Sequence, residues 1–194
     1  HRRGVELVEG QPVVGFDRIG GKCVAALTAG GAHRAGQFCI CGGAWSRNLL
    51  EQAGVELVVE PVRGQIVQLF AQPLPFQQII EAGSRYLVPR PDGLILVGST
   101  EERAGFVAQK TEGAVSRLME FANEVVQSLS QAKYQRAGAG LRPGSPDGLP
   151  FLGHVPGTEN VYVAAGHFRA GLQLSPATAV LLRQLILGQT TAIP

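Results

Sequence analysis

Two short runs constrain the fold most. Phe38-Cys39-Ile40-Cys41 and Asn160-Val161-Tyr162-Val163-Ala164-Ala165 are almost wholly apolar, each stops at glycine (Gly42-Gly43 and Gly166), and a helical pattern follows each. A short continuous apolar run suits a strand covered on both faces. A buried strand that turns at glycine into a helix belongs to a layered α/β framework. Around the first run, Val5-Glu6-Leu7-Val8 alternates like a strand, and Pro12–Phe16 and Cys23–Thr28 follow with Gly20-Gly21 and Gly30-Gly31 as turns. This spacing predicts a small antiparallel meander feeding the buried strand. Ser46 is placed to cap a short helix running to about Ala53.

A second pattern starts near Pro61. Gly64–Phe70, Gln77–Glu81, Arg85–Pro89 and Leu94–Val97 are strand-like, with Pro91-Asp92-Gly93 as a turn. Glu112 to Ser130 reads as a helix with Thr111 as its cap, because Val115, Leu118, Met119, Ala122, Val125, Val126 and Leu129 recur at three- and four-residue spacings. Tyr134–Leu141 returns as a strand and Pro143–Pro150 is a turn-rich loop. Pro176–Leu187 reads as a second apolar helix, closed by Gly188. The fold class is α+β, part of an α/β framework that carries an inserted antiparallel sheet. Three segments follow: residues 1–60, 61–141 and 142–194.

Composition excludes several functions. Of 194 residues, 45% are hydrophobic and 16% charged, enough apolar matter for a core and too little charge for a disordered chain. No apolar run reaches transmembrane length, and His1-Arg2-Arg3-Gly4 is not the start of a secretory leader. A net charge of +2 spread along the chain argues against nucleic acid as partner. Three cysteines do not make a disulfide scaffold and suggest a reducing, cytoplasmic compartment. Cys39 and Cys41 share a strand face and could chelate a metal, but no third ligand follows at a ligand spacing, so no metal is expected and all three cysteines read as buried small hydrophobes. The abrupt opening reads as the later part of a longer protein.

Few segments can carry chemistry. Gly138-Ala139-Gly140-Leu141-Arg142 begins like a dinucleotide-binding turn, but Pro143 stands where the third glycine belongs and no helix follows. The two strand-to-helix junctions, Cys41–Ser46 and Ala164–Leu172, are either plain tight turns or places where backbone N–H groups meet an electron-rich ligand. Arg142, held before Pro143, is either a bidentate carboxylate receptor or a surface partner of Asp147. Tyr86 is either strand packing or a ligand contact. His167 follows Gly166, but no nucleophile–histidine–carboxylate arrangement accompanies it.

Taken together, Gly140-Leu141-Arg142-Pro143-Gly144 with Asp147-Gly148 and Pro150, Ala164-Ala165-Gly166-His167-Phe168-Arg169-Ala170-Gly171 with Ser175–Thr178, Gly43-Ala44-Trp45-Ser46, and Tyr86–Arg90 followed by Val97–Glu101 resemble the glycine oxidase and D-amino-acid oxidase family. The order matches the family's, and bacterial glycine oxidases of thiamine biosynthesis look most similar. The resemblance implies an FAD-binding domain with an inserted antiparallel-sheet substrate domain: residues 1–60 and 142–194 in the former, 61–141 in the latter. It implies an FAD-dependent oxidoreductase in which a small amino acid such as glycine is oxidised to the imine, with hydride passing to the flavin and O2 returning H2O2. By position, Arg142 would clamp the substrate carboxylate and Tyr86 would bind it or line the pocket. These two carry the catalytic role, with Glu101 and Arg169 also near substrate. Cofactor contacts would come from Val13 at the adenine end, from Cys41, Gly42, Gly43 and Trp45, from Gly140, and from Gly166, His167, Phe168, Arg169, Ala170, Gly171, Leu172 and Gln173 at the ring. No general base is needed if the amine binds neutral.

The sequence departs from the family in two ways. The Gly-rich fingerprint and its acidic ribose partner are absent, which implies FAD in the complete protein but weak or no binding, and no activity, for this piece alone. Glu101 stands where some glycine oxidases carry an apolar side chain, so it either alters substrate preference or points to solvent. The exposed edge of the incomplete sheet suggests a homo-oligomer. The alternative from another class is a non-catalytic, flavin-free interaction module that keeps the oxidase fold.

Overall fold

The computed structural model describes residues 4–191 and 193. His1, Arg2 and Arg3, read above for the lack of an apolar leader, lie outside the described residues. The chain divides into two compact units: one from the segments up to Glu60 and from Pro143 onward, the other Pro61–Arg142.

In the first unit, β1 (Val13–Ile19), β2 (Lys22–Thr28) and β3 (Gly31–Arg34) form an antiparallel sheet in that order. The expected strand at Val5–Val8 does not form: these residues are exposed, between Gly4 and Gly10, whose φ values of 73° and 71° curl the chain. Alternation alone makes no strand where no ladder is available. Next come β4 (Phe38–Ile40), a single 3-10 turn at Gly43–Trp45, and α1 (Ser46–Gln52). Ser46 is not the cap: its N–H already bonds to the Gly43 carbonyl in the preceding turn, and Trp45 takes the cap position.

The second unit holds most of β5 (Glu60–Phe70), β6 (Ile80–Ala82), β7 (Arg85–Pro89), β8 (Leu94–Gly98), α2 (Glu112–Val125) and most of β9 (Lys133–Gly144). Its five strands run in the order β6-β7-β8-β5-β9. The strand expected from Gln77 covers only Ile80–Ala82. Thr111 caps α2 as expected, its Oγ1 accepting from the Ala114 N–H. The helix stops earlier than its apolar stripe: Val126 is extended (φ −136°), and a 3-10 turn at Gln127–Gln131 keeps Leu129 buried. Adjacent β-branched Val125 and Val126 favour that exit. Leu118, Phe121 and Ala122 of α2 pack with Val67, Leu69, Leu87, Ile95 and Val97 of the sheet. Each fully buried leucine there contributes roughly 1.5–3 kcal/mol.

The chain then returns to the first unit through β10 (Phe151–His154), β11 (Val161–Ala165) and α3 (Gly171–Ile186). β11 pairs antiparallel with β10 and parallel with β4, Val161 opposite Phe38 and Val163 opposite Ile40. The two apolar runs that end in glycine are therefore neighbours in one sheet. Phe38, Ile40, Val161 and Val163 share a core with Cys23, Leu50, Val59 and Val155. α3 begins five residues before the expected Pro176. Pro176 has no N–H to give to Leu172, and the Ser175 Oγ donates to that carbonyl instead at 2.8 Å, so the helix passes through the proline.

Candidate functional site: a glycine-walled cavity and an anchored arginine

In the first unit, the ends of β4 and β11 and the start of α3 enclose a cavity of about 410 Å³. Cys41 and Gly43 line it beyond β4, Ala164 and Ala165 at the end of β11, His167 in the connecting curl, and Gly171, Thr178 and Leu182 on α3. A second cavity of about 300 Å³ is bounded by Val13, Phe16, Cys41 and Gly42 among others. Cys41 borders both.

The curl after β11 is built tightly. Gly166 has φ 79°, and a Cβ on it would lie 3.2–3.3 Å from Phe151 and Ser145. Phe168 is the one non-glycine with positive φ (49°) among the described residues, and its N–H bonds to the Pro143 carbonyl at 2.9 Å. Such conformations cluster where backbone must meet a ligand. α3 has Ala170 at its N-cap and no side-chain cap, so its first N–H groups carry partial positive charge at the cavity end of the helix. His167 Nε2 lies 3.0 Å from Thr178 Oγ1, and burial lowers its pKa, favouring the neutral ring. The Ser145 Oγ beside Gly166 is buried without a protein partner. The glycine walls at Gly43 and Gly171 and the uncapped helix start fit a flat, polar-edged aromatic group such as the flavin ring.

Two of the three cysteines depart from expectation. Cys23 is buried, and burial pushes its thiol up. Cys39 and Cys41 are exposed, with sulfurs 3.5 Å apart, because both face away from the core that Phe38 and Ile40 fill. The hydrogen bond from Cys39 lowers the Cys41 pKa to about 7 and raises that of Cys39. No cluster of three or more metal-ligating side chains occurs among the described residues.

The other expected cofactor residues are placed less centrally. Trp45, Arg169, Leu172 and Gln173 are exposed, and Phe168 and Ala170 are half-buried in the curl. Gly140 lies within β9 of the second unit, with nothing within 4 Å of where a Cβ would sit.

In the second unit, Arg142 Nη1 donates to the Thr100 carbonyl at 3.1 Å and Nη2 to Ser99 Oγ at 2.9 Å. Tyr86 pairs across the sheet with Gly98, and a Cβ on Gly98 would fall 2.4 Å from Tyr86 Cζ, so the phenol lies over the glycine. Arg142 and Tyr86 thus rest on three consecutive residues, Gly98-Ser99-Thr100. Glu101 is exposed next to them. Reading the sequence missed Gly64, Gln65, Ser99 and Thr100 as supports. The one available signal was glycine inside a strand pattern, which marks close approach by another group.

Comparison with known proteins gives this geometry its setting. A family profile described as FAD dependent oxidoreductase matches residues 1–185. The chain is 40% identical over 184 residues to a glycine oxidase from Pseudomonas putida, covering 95% of this chain and 50% of that protein. It is 38% identical over 192 residues to a hydrogen cyanide synthase subunit from Pseudomonas aeruginosa, covering 97% of this chain and 46% of that one. The crystal structure of glycine oxidase from Geobacillus kaustophilus superposes with a TM-score of 0.94 at 32% identity, covering 98% of this chain and 52% of that chain. The chain spans about half the length of the curated relatives it matches. With its α+β fold and its match along nearly the whole chain, it belongs to the family of FAD-dependent oxidoreductases and is similar to glycine oxidases.

Proposed function

We propose that the protein containing this chain oxidises a small amino acid such as glycine to its imine, with FAD as cofactor, O2 as acceptor and H2O2 as product. The observation that carries this is the anchored arginine. Two of its N–H groups donate to Ser99 Oγ and the Thr100 carbonyl, which fixes its orientation. An oriented guanidinium of this kind suits a carboxylate. In this reading the unit of Pro61–Arg142 binds substrate, and the unit of the two flanking segments binds FAD.

Bound FAD would supply the hydride acceptor. The chain's own groups bind and orient. Arg142 takes the substrate carboxylate, and Tyr86, held over Gly98, closes the pocket beside it or donates to the same group. Glu101 and Arg169 also belong to the substrate contacts in this reading. The Gly166–Gln173 curl and the N-terminal N–H groups of α3 would hold the ring. Cys41, Gly42, Gly43 and Trp45 would line the cofactor cleft, and Val13 would meet the adenine end. Gly140 on β9 also belongs to the cofactor contacts in this reading. The protein works in the cytoplasm and forms a homo-oligomer.

The test is Arg142→Ala in the full-length protein. Losing a charge-assisted pair should lower kcat/KM for glycine by about 2–4 kcal/mol in transition-state terms, mainly through KM. An unchanged kcat/KM would remove Arg142 from the site.

A further inference from the structure

Resting on the reading of Arg142 as carboxylate receptor, we propose that Gly64 is its positioning residue: a bare stretch of β5 backbone on which the guanidinium lies flat.

Gly64 is buried inside β5 and is absent from the glycines with positive φ, so conformational freedom does not explain it. Space does. A Cβ built there would lie 2.1 Å from Arg142 Nη1, 2.2 Å from Cζ and 2.2 Å from Nη2. No point in the guanidinium plane is that far from all three atoms equally, so the Cβ position stands above the face of the group. The fork is stacked on the Gly64 backbone, and its in-plane N–H groups point along the sheet. Two of them meet Ser99 Oγ and the Thr100 carbonyl.

The next residue fixes Thr100. The Gln65 N–H donates to Thr100 Oγ1 at 3.0 Å, and the Gln65 carbonyl accepts from the Thr100 N–H at 3.2 Å. The Gln65 side chain is fully buried and satisfied: Oε1 accepts from the Thr111 N–H at 2.7 Å, and Nε2 donates to Glu102 Oε1 and Thr111 Oγ1. Glu102 Oε2 is taken by Arg63. Glu102 is therefore engaged by Arg63 and Gln65. Gly64 supplies the face and Gln65 pins Thr100.

An alanine at position 64 is tolerable for the backbone, because the obstructing atoms are the far end of a flexible side chain. It is intolerable for the guanidinium, which would have to retreat by roughly 1.3 Å to reach ordinary contact distance. A displacement of about 1 Å in a positioning group can cost on the order of 100-fold.

The experiment compares Gly64→Ala, Arg142→Ala and the double variant in the full-length holoenzyme, reading KM and kcat for glycine, the affinity for acetate by calorimetry, and melting temperature. Gly64→Ala should raise KM and weaken acetate about 10- to 100-fold with a smaller change in kcat. On the Arg142→Ala background the same change should alter neither by more than about twofold, as coupled residues require. If Arg142→Ala is strongly impaired but Gly64→Ala binds acetate and glycine normally, or is equally harmful on both backgrounds, this proposal is overturned while the arginine reading stands. An unimpaired Arg142→Ala overturns both. Should Gly64→Ala fail to fold, a folded double variant supports the proposal and an unfolded one refutes it.

Discussion

Asn160 offers the sharpest test of how the first unit is held together. It precedes β11 and is buried. Its Oδ1 accepts from the Cys23 N–H at 2.9 Å, and its Nδ2 donates to the carbonyls of Cys23 and Gly36, each at 2.8 Å. Its own carbonyl accepts from the Phe38 N–H at 2.9 Å. One side chain thus ties β2, the approach to β4 and the start of β11. Asn160→Ala removes three buried hydrogen bonds worth about 1 kcal/mol each and strands backbone groups that water reaches poorly, a total of about 3–4 kcal/mol. For a chain of this size that corresponds to a fall in melting temperature of roughly 10 °C. Asn160→Asp keeps the shape and the acceptor but sets a carboxylate against two carbonyls. It should be worse than alanine at neutral pH and recover part of the loss as acid protonates it, since the folded state raises that pKa and so gains stability as pH falls. The assay is urea and thermal unfolding followed by circular dichroism. A loss below about 1 kcal/mol for Asn160→Ala would refute the claim that this side chain joins the sheets.

Two further outcomes follow from local geometry. Gly98→Ala places a methyl 2.4 Å from Tyr86 Cζ and must swing the phenol aside; kcat/KM for glycine in the full-length protein should fall about tenfold or more with melting temperature nearly unchanged, and unaltered kinetics would take Tyr86 out of the pocket. In the 194-residue chain, Cys41 should be alkylated by iodoacetamide with a pH midpoint near its pKa of about 7, ahead of Cys39, while buried Cys23 stays unmodified; mass spectrometry after brief labelling across pH 6–9 reads the order, and equal labelling of Cys39 and Cys41 at pH 7 would contradict the thiol–thiolate pairing.

Sequence pattern exposed the strands that end in glycine, because Gly42 and Gly166 mark both the end of an apolar run and the turn beyond it. The capped helix at Thr111 was equally plain, since its cap and stripe are local. What stayed hidden depends on partners far along the chain. Val5–Val8 alternates but finds no ladder. Cys39 and Cys41 look apolar, yet strand alternation gives the core face to Phe38 and Ile40. Pro176 reads as a helix start because the compensating Ser175 hydroxyl is invisible to propensity. Arg142 stood out through Pro143, but its seat did not: Gly64, Ser99 and Thr100 meet it only after β5, β8 and β9 are assembled, across separations of 42 and 43 residues for the two hydrogen-bond partners.

The central claim is that the complete protein draws a hydride from a small amino acid onto its flavin. The most direct measurement is anaerobic mixing of the purified full-length flavoprotein with excess glycine, following the visible flavin band. The account predicts full bleaching with glycine, none with acetate, which offers the carboxylate but no amine-bearing carbon, and return of the colour when O2 is admitted. A flavin that stays oxidised with glycine and other small amino acids, or a full-length protein that takes up no FAD, would contradict it.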